Sequence, residues 1–529
     1  HSSCGGIPSR LRVLWWTGHV QRLAVVPSPG LLEPAGRGAP DADEARAEPF
    51  VHKFRTDRHF CIYDVNSNRT FQVDEVTSEI IDHPEALSLD RLAGSLPQFD
   101  KTEVERAAAG VAVAKGKGLF SNHRPSRIGY AGGDVAELLD VTPREQLILN
   151  VTDGCNLRCG YCVYGGDYPE QRTHGPREMT SETARLAVDE FMSRAGEDVS
   201  LSFYGGEPLL RFEMIERLVS DVARDHPQRR VSWSLTTNGT LVSESVARFL
   251  MSHGFLVTVS LDGPRAVTDR HRKDVRGVGA FDRILAGLER LQQADPAAYD
   301  KNVIFSVVCA APFALADVVD FFDSHPLTRG HHCAFSYVNS ATCNADLHPT
   351  AESLAQLRRE NGELQRGFLA DVARTGAPFG FANDLYGTDF GRFYHRSKQP
   401  LGDSMEPNGN CLPSARRLFV SSEGDYHVCE KLDNAYPIGD VRTGVNRVGV
   451  ARLYDDYLAL SADCLQCWAC RLCSICFAQM KSGAVLNQDV RDRECASSRA
   501  HWERLLRDYY ALLEQDPHCL DYLEQETWR

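Results

Sequence analysis

The segment CNLRCGYC sets three thiols, Cys155, Cys159 and Cys162, directly after the apolar run LILNVT. Three thiolates can hold three irons of a 4Fe-4S cluster and leave the fourth iron open to an exchangeable ligand, whereas a structural metal site closes all its positions. The plainer alternative is a set of buried cysteines, or a zinc knuckle that borrows a ligand from elsewhere. A second group is denser: Cys411, Cys429, Cys464, Cys467, Cys470, Cys473, Cys476 and Cys495. CxxC knuckles serve zinc and iron alike, so this spacing leaves two zinc ribbons and two iron-sulfur clusters both open. Cys309, Cys333, Cys343 and Cys519 are scattered and read as small core residues.

Further candidates stand just after apolar runs. In FYGGEPL, Gly205 and Gly206 would let backbone groups approach a ligand amino group while Glu207 supplies a charge partner. The alternative is an ordinary strand-to-helix turn with Pro208 at the first helical position. TTNG and SLDG add Asn238, Ser260 and Asp262, although Asn-Gly and Asp-Gly are common turns on their own.

These residues need a frame that brings them to one rim. From Gln146 to about Val338 six β-rich runs, LILNVT, VSLSFYG, VSWSLTT, FLVTVSLD, NVIFSVV and HCAFSYV, alternate with helical patterns. Such alternation predicts an α/β fold with parallel strands covered by helices, here a partial (β/α)6 barrel. Loops after parallel barrel strands build the active face, which is where the thiols and the glycine, Asn-Gly and Asp-Gly turns fall. Thr180 is the expected N-cap of the first helix, with Ala184, Val188, Phe191 and Met192 along one face. Between Phe50 and about Asn122, FCIYDV, SNR and TFQV read as a hairpin, followed by helices at Glu75 to Ile81 and Lys101 to Ala114. Residues 1–48, rich in Pro, Gly, Ala and Arg, are expected to be poorly ordered. The remaining divisions are the barrel at 146–345, a helical bridge at 346–405, a cysteine-rich domain at 406–500 and a C-terminal helical segment at 501–529.

A net charge of −14 argues against general nucleic-acid affinity, which needs a basic face. No run of 18 apolar residues suggests a membrane span, so a cytoplasmic protein is expected. In that reducing setting 17 closely spaced cysteines point to metal ligation before disulfides.

Taken together, CNLRCGYC with an aromatic at Tyr161, GGEPL, TTNG and SLDG resemble the radical S-adenosylmethionine (SAM) superfamily over about Gln146 to Val338. The resemblance implies that the open iron chelates SAM and that an electron from the cluster breaks its C–S bond to give a 5′-deoxyadenosyl radical. It implies that Gly205, Gly206, Glu207, Pro208, Asn238, Ser260 and Asp262 line the SAM or substrate pocket. It also places Arg272 where relatives carry a SAM-contacting arginine, with a solvent-facing arginine as the alternative.

The C-terminal cysteines resemble the SPASM extension, which holds two auxiliary 4Fe-4S clusters and so implies three in all. By that resemblance Cys411, Cys429 and Cys476 serve the first, and Cys464, Cys467, Cys473 and Cys495 the second. Cys470 is extra, and the last gap is shorter than usual, so the division of Cys470, Cys473 and Cys476 stays open. Related sulfatase-maturing enzymes carry Cys-Asp at the position of Cys429, whereas this chain has Cys429-Glu430. That difference and VYGGDYPEQR resemble maturases that crosslink ribosomally made peptides, a thioether being the first expectation. Glu430 is then a candidate base or a solvated neighbour of Lys431. FVHKFRTDRHFCIYDVNSNRTFQVDEVTSEII resembles a PqqD-like winged-helix element that captures a precursor's leader peptide by strand addition. The implied partners are that precursor peptide and an electron donor such as ferredoxin or flavodoxin. A small-molecule radical enzyme and a zinc-bound scaffold are the readings from other classes.

Overall fold

Apolar residues on both faces of FCIYD make it a strand buried from two sides. The protein is described by a computed structural model covering residues 48–524 except 84–87, 131–132, 169–171, 339–346, 348, 377, 379, 408 and 433–435. Residues 1–47, where poor order was expected, lie outside the described residues, as does Cys343. The N-terminal module is an antiparallel sheet of β1 (Val51–Arg55), β2 (Phe60–Asp64) and β3 (Arg69–Val73) in that order. The hairpin is the predicted one, and β1 is an addition to it. Helices Glu75–Ile80, Leu89–Ser95 and Lys101–Gly116 follow, each started by a side-chain cap from Asp74, Ser88 or Asp100. Ile62 packs into the module's own core with Val76, Val104 and Val111. Cys61 and Tyr63, on the opposite face, join a different core built on Trp502, Leu506 and Tyr509 of the C-terminal helix.

The run REQLILNVT is buried along nearly its whole length, as a strand covered on both faces must be. It forms β4 (Arg144–Thr152), followed by β5 (Ala195–Gly205), β6 (Arg230–Thr237), β7 (Leu256–Ser260), β8 (Val303–Cys309) and β9 (Cys333–Tyr337). All five successive pairings are parallel. Because the order never reverses, the crossover helices fall on one face and the other curls into the interior of a partial barrel. The first crossover helix, Ser181–Met192, starts at Thr180, whose side chain accepts from the Thr183 N–H.

The sheet continues past β4 in a way the sequence reading lacked. β10 (Arg417–Val420) pairs parallel with β4, and β11 (Tyr426–His427) pairs antiparallel with β10, giving eight strands in order β9-β8-β7-β6-β5-β4-β10-β11. The cysteine-rich region is therefore rooted in the barrel sheet and does not begin as a separate unit at 406. A second boundary moves as well. The final amphipathic helix, expected from Ala500, starts at Gln488 on an Asn487 cap and runs to Gln515, so Cys495 sits on a helix. The predicted helical bridge consists mainly of Ala351–Thr375, closed by left-handed Gly376, and Thr388–Tyr394.

Candidate active site

Backbone bonds hold the loop after β4 in place before any ligand is considered. Cys162 N–H donates to the Cys159 carbonyl at 3.0 Å, and Arg158 and Gly160 N–H donate to the carbonyls of Lys273 and His271 at 2.6 and 3.0 Å. Asn238 Nδ2 lies 2.8 Å from Asn156 Oδ1 and 3.8 Å from Cys155 Sγ, so the turn after β6 reaches the thiol loop. His174 Nε2 stands 3.6 Å from Cys162 Sγ, a neighbour that motif reading did not single out. Cys155, Cys159 and Cys162 are all half-buried.

Tyr161 and Arg272 are tied to one acid. Arg272 donates twice to the Asp262 carboxylate, at 2.9 and 2.8 Å, and the Tyr161 hydroxyl donates to the same group. The Arg272 guanidinium also lies 5.5 Å from the Tyr161 ring centre. Its side chain is only 6% exposed, so the solvent-facing alternative does not describe it. Tyr161, Arg272, Asn238 and Ser260 line a cavity of about 730 Å³ at the C-terminal ends of the strands, together with the three thiols, Gly205 and Gly206.

Glu207 differs from its expected role. Its carboxylate is fully buried and accepts from Leu209 N–H at 3.0 Å, Asn238 N–H at 2.7 Å and Thr237 Oγ1 at 2.7 Å. It ties the turn after β5 to the turn after β6 and does not face the cavity as a charge partner. Burial pushes it up to about 7, against the pull of those three donors. Asp262 and Pro208 are likewise buried behind the cavity wall. The two glycines also have a packing reason. A Cβ on Gly206 would strike the Gly154 carbonyl and lie 2.9 Å from the Asp153 oxygen, and one on Gly205, at φ +137°, would lie 2.5 Å from Asn150 Oδ1.

The cysteine-rich region lines the same cavity through Glu430, Lys431, Cys476, Lys481 and Arg493. Glu430 is buried, and its Oε2 meets no hydrogen-bond partner among the described residues. Arg172 donates to the Glu430 carbonyl at 2.6 Å and stacks 4.3 Å from the centre of Phe419. Lys481 falls outside every motif used above, and Arg172 closes the VYGGDYPEQR segment without having been singled out. A signal for them would have required knowing which distant segments meet.

Thiols of the cysteine-rich region line two cavities. Cys476 lines the large cavity together with Cys155, Cys159 and Cys162. Cys464, Cys467, Cys470, Cys473 and Cys495 line a separate cavity of about 50 Å³. Cys470 thus lines the same cavity as Cys464, Cys467, Cys473 and Cys495, whereas Cys476 lines the other. Arg491 Nη2 lies 3.1 Å from Cys464 Sγ and is paired with Asp463. Among the described residues no three His, Cys, Asp or Glu side chains close on one metal-ion position. A polynuclear cluster asks instead for thiols spread around a wider space, and five thiols around one cavity offer that donor set.

Residues 149–307 match the profile described as the Radical SAM superfamily. That stretch is a radical SAM domain. Domains of this kind belong to enzymes whose radical chemistry uses SAM and a 4Fe-4S cluster, and the donor set on the rim suits both. The chain is 33% identical over 170 residues to the cysteine-type anaerobic sulfatase-maturating enzyme of Clostridium perfringens strain 13, covering 32% of this chain and 44% of that one. It is 32% identical over 183 residues to the GTP 3',8-cyclase of Pasteurella multocida, covering 34% and 50%. The chain thus spans half or less of the length of these curated relatives. The solved structure described as native anSMEcpe with bound AdoMet and Cp18Cys peptide shares the fold, with a TM-score of 0.52 at 21% identity over 72% of this chain and 99% of that one. No helix among the described residues is long and apolar enough to cross a membrane.

Proposed function

We propose that the chain is a peptide-modifying radical SAM enzyme in which Cys155, Cys159 and Cys162 hold the SAM-binding cluster. The observation that carries this reading is the shared cavity: the three thiols, Glu430 and Cys476 all line it. When bound, the cluster and SAM supply a 5′-deoxyadenosyl radical that takes hydrogen from a substrate carbon. The chain's own residues bind and orient. Arg272, held by Asp262, presents a fixed positive charge suited to the SAM carboxylate. Gly205, Gly206, Asn238 and Ser260 bring backbone and side-chain polar groups to the same cavity. Glu430 Oε2, without a partner of its own, is placed to accept a proton from a substrate group.

Cys411, Cys429 and Cys476 would hold a first auxiliary cluster. Four of Cys464, Cys467, Cys470, Cys473 and Cys495 would hold a second, so three clusters are proposed in all. Three thiolates on the first leave room for a substrate thiolate, which favours a thioether over a carbon–carbon or carbon–oxygen crosslink, with epimerisation third. The leader peptide would add to the exposed edge of β3, beside the module's helices. An electron carrier such as ferredoxin or flavodoxin and a cytoplasmic setting complete the reading.

The test is iron, sulfide and zinc content after anaerobic reconstitution, then 5′-deoxyadenosine formation with dithionite and SAM. About twelve irons per chain are expected from three four-iron clusters, and about 2 Da should leave a crosslinked precursor peptide as two hydrogens. Replacing Cys155, Cys159 and Cys162 together by Ala should abolish SAM cleavage and leave auxiliary iron in place. Persistent cleavage refutes the site assignment, and zinc without cleavage refutes the enzyme. A small-molecule substrate is the second reading, favoured by a cavity volume within the small-ligand range and by the likeness to the cyclase.

A further inference from the structure

The hairpin-like segment His271–Gly279 is bonded by its backbone to the thiol loop on both sides of Cys159, through Arg158 to Lys273 and Gly160 to His271. An isolated bridge between Leu157 and Asp274 extends the pairing. The outward side of this seam has an unusual composition for a chain of net charge −14. Arg158, Lys273 and Arg276 are exposed. Asp274, the one acid of the segment, is buried: its carboxylate accepts from the Arg276 and Val278 N–H groups at 2.9 and 3.0 Å and is shared by the guanidinium groups of Arg276 and Arg283 at 3.4 and 3.5 Å, which leaves the cluster with a surplus of positive charge. Beside these cations in the segment, Val275 and Val278 stand 69% and 53% exposed. Cations beside solvent-facing valines form a surface that recognises an acidic protein with an apolar contact centre, because opposite charge steers the encounter and apolar contact retains it.

We infer that this seam is the docking surface for an acidic, low-potential one-electron carrier protein. The inference rests on the proposal that Cys155, Cys159 and Cys162 hold the SAM-binding cluster. The step moves one electron from the reduced carrier to that cluster, leaving the carrier oxidised by one electron, with no proton or bond transferred. Docking here sets the carrier against the two backbone contacts that flank Cys159, whereas the substrate cavity lies on the inner side of the same loop.

The probe is an acidic flavodoxin. Binding of fluorescently labelled, oxidised flavodoxin to the reconstituted enzyme is measured against ionic strength, for wild type, Lys273→Gln/Arg276→Gln and Val275→Ser. The charge-neutralised double variant should weaken binding about tenfold, with a shallower salt dependence, and V275S should weaken it with the salt dependence unchanged. SAM cleavage driven by reduced flavodoxin should fall in parallel, while cleavage driven by dithionite stays at the wild-type rate. Equal flavodoxin affinity across the three proteins overturns the docking surface. So does an equal loss with both reductants, which would mark the substitutions as damage to the loop. Wild type that binds flavodoxin in a salt-dependent way but cleaves no SAM with either reductant refutes the proposed function and leaves the surface standing.

Discussion

Gly206→Ala separates two roles for the Gly-Gly turn after β5. If the glycines only let a ligand approach, a methyl group would weaken SAM binding and leave the apo-protein intact. The geometry demands more. The added Cβ would meet the Gly154 carbonyl head-on, at 2.6 Å from its carbon and 2.9 Å from the Asp153 oxygen, where ordinary contacts begin at 3.4 Å. Relief requires residues 153–154 to retreat by about 1 Å, and neighbouring backbone, unlike a side-chain tip, has no rotamer to yield. Overpacking of this kind costs about 1–3 kcal/mol, or roughly 3–10 °C in melting temperature for a unit of this size. Because Cys155 follows Gly154, the displacement passes straight into the thiol loop. The variant should therefore melt lower even before reconstitution, and then take up about four fewer irons per chain than wild type, the auxiliary sites still loading. Differential scanning calorimetry of the apo-protein and iron analysis after reconstitution read the two effects separately. An unchanged melting temperature with full iron loading, accompanied only by weaker SAM binding, would refute the packing argument.

The buried Glu207 makes stability pH-dependent. Its folded pKa is raised to about 7 from an ordinary value of 4.5, so the folded state holds the proton more tightly and this group's contribution falls as pH rises from 4.5 through 7. Glu207→Gln lacks that titration, so the melting-temperature advantage of wild type over E207Q should shrink between pH 5 and pH 8; a gap that widens refutes it. Arg491→Gln removes a buried cation 3.1 Å from Cys464 Sγ. The potential of the neighbouring cluster should move negative by on the order of tens of millivolts in an EPR-monitored redox titration, and an unmoved potential counts against the assignment. Trp468 stacks on His52 at 3.6 Å and Arg471 donates to the Val65 and Asn66 carbonyls, so the cysteine loop is fastened to the N-terminal module. Trp468→Ala should lower auxiliary iron and speed proteolysis between module and loop, and intact iron with unchanged proteolysis would refute the fastening. By the same contacts, deleting residues 48–122 exposes the core under Tyr63 and Trp502, which makes substitutions on the β3 edge the cleaner probe of leader binding.

What the sequence determined by itself was set by near neighbours. The CNLRCGYC spacing, the Thr180 cap, the buried run of β4 and the turns after β5, β6 and β7 are properties of a few consecutive residues, and each carries its own chemistry. Tertiary structure decided the matters that depend on which distant segments meet. Glu207 turned inward because donors from Leu209, Thr237 and Asn238 could satisfy a buried carboxylate, which motif reading had pointed at a ligand. Cys470 and Cys476 are six residues apart yet line different cavities, since the loop between them crosses from the cavity beside Arg491 to the one that holds Cys155. β10 joined the barrel sheet because its hydrogen-bonding edge found β4, some 270 residues earlier. Local spacing constrains rotamers, caps and ligand type, while burial and pairing across hundreds of residues assign each group its partner, and those long-range contacts are absent from any short window of sequence.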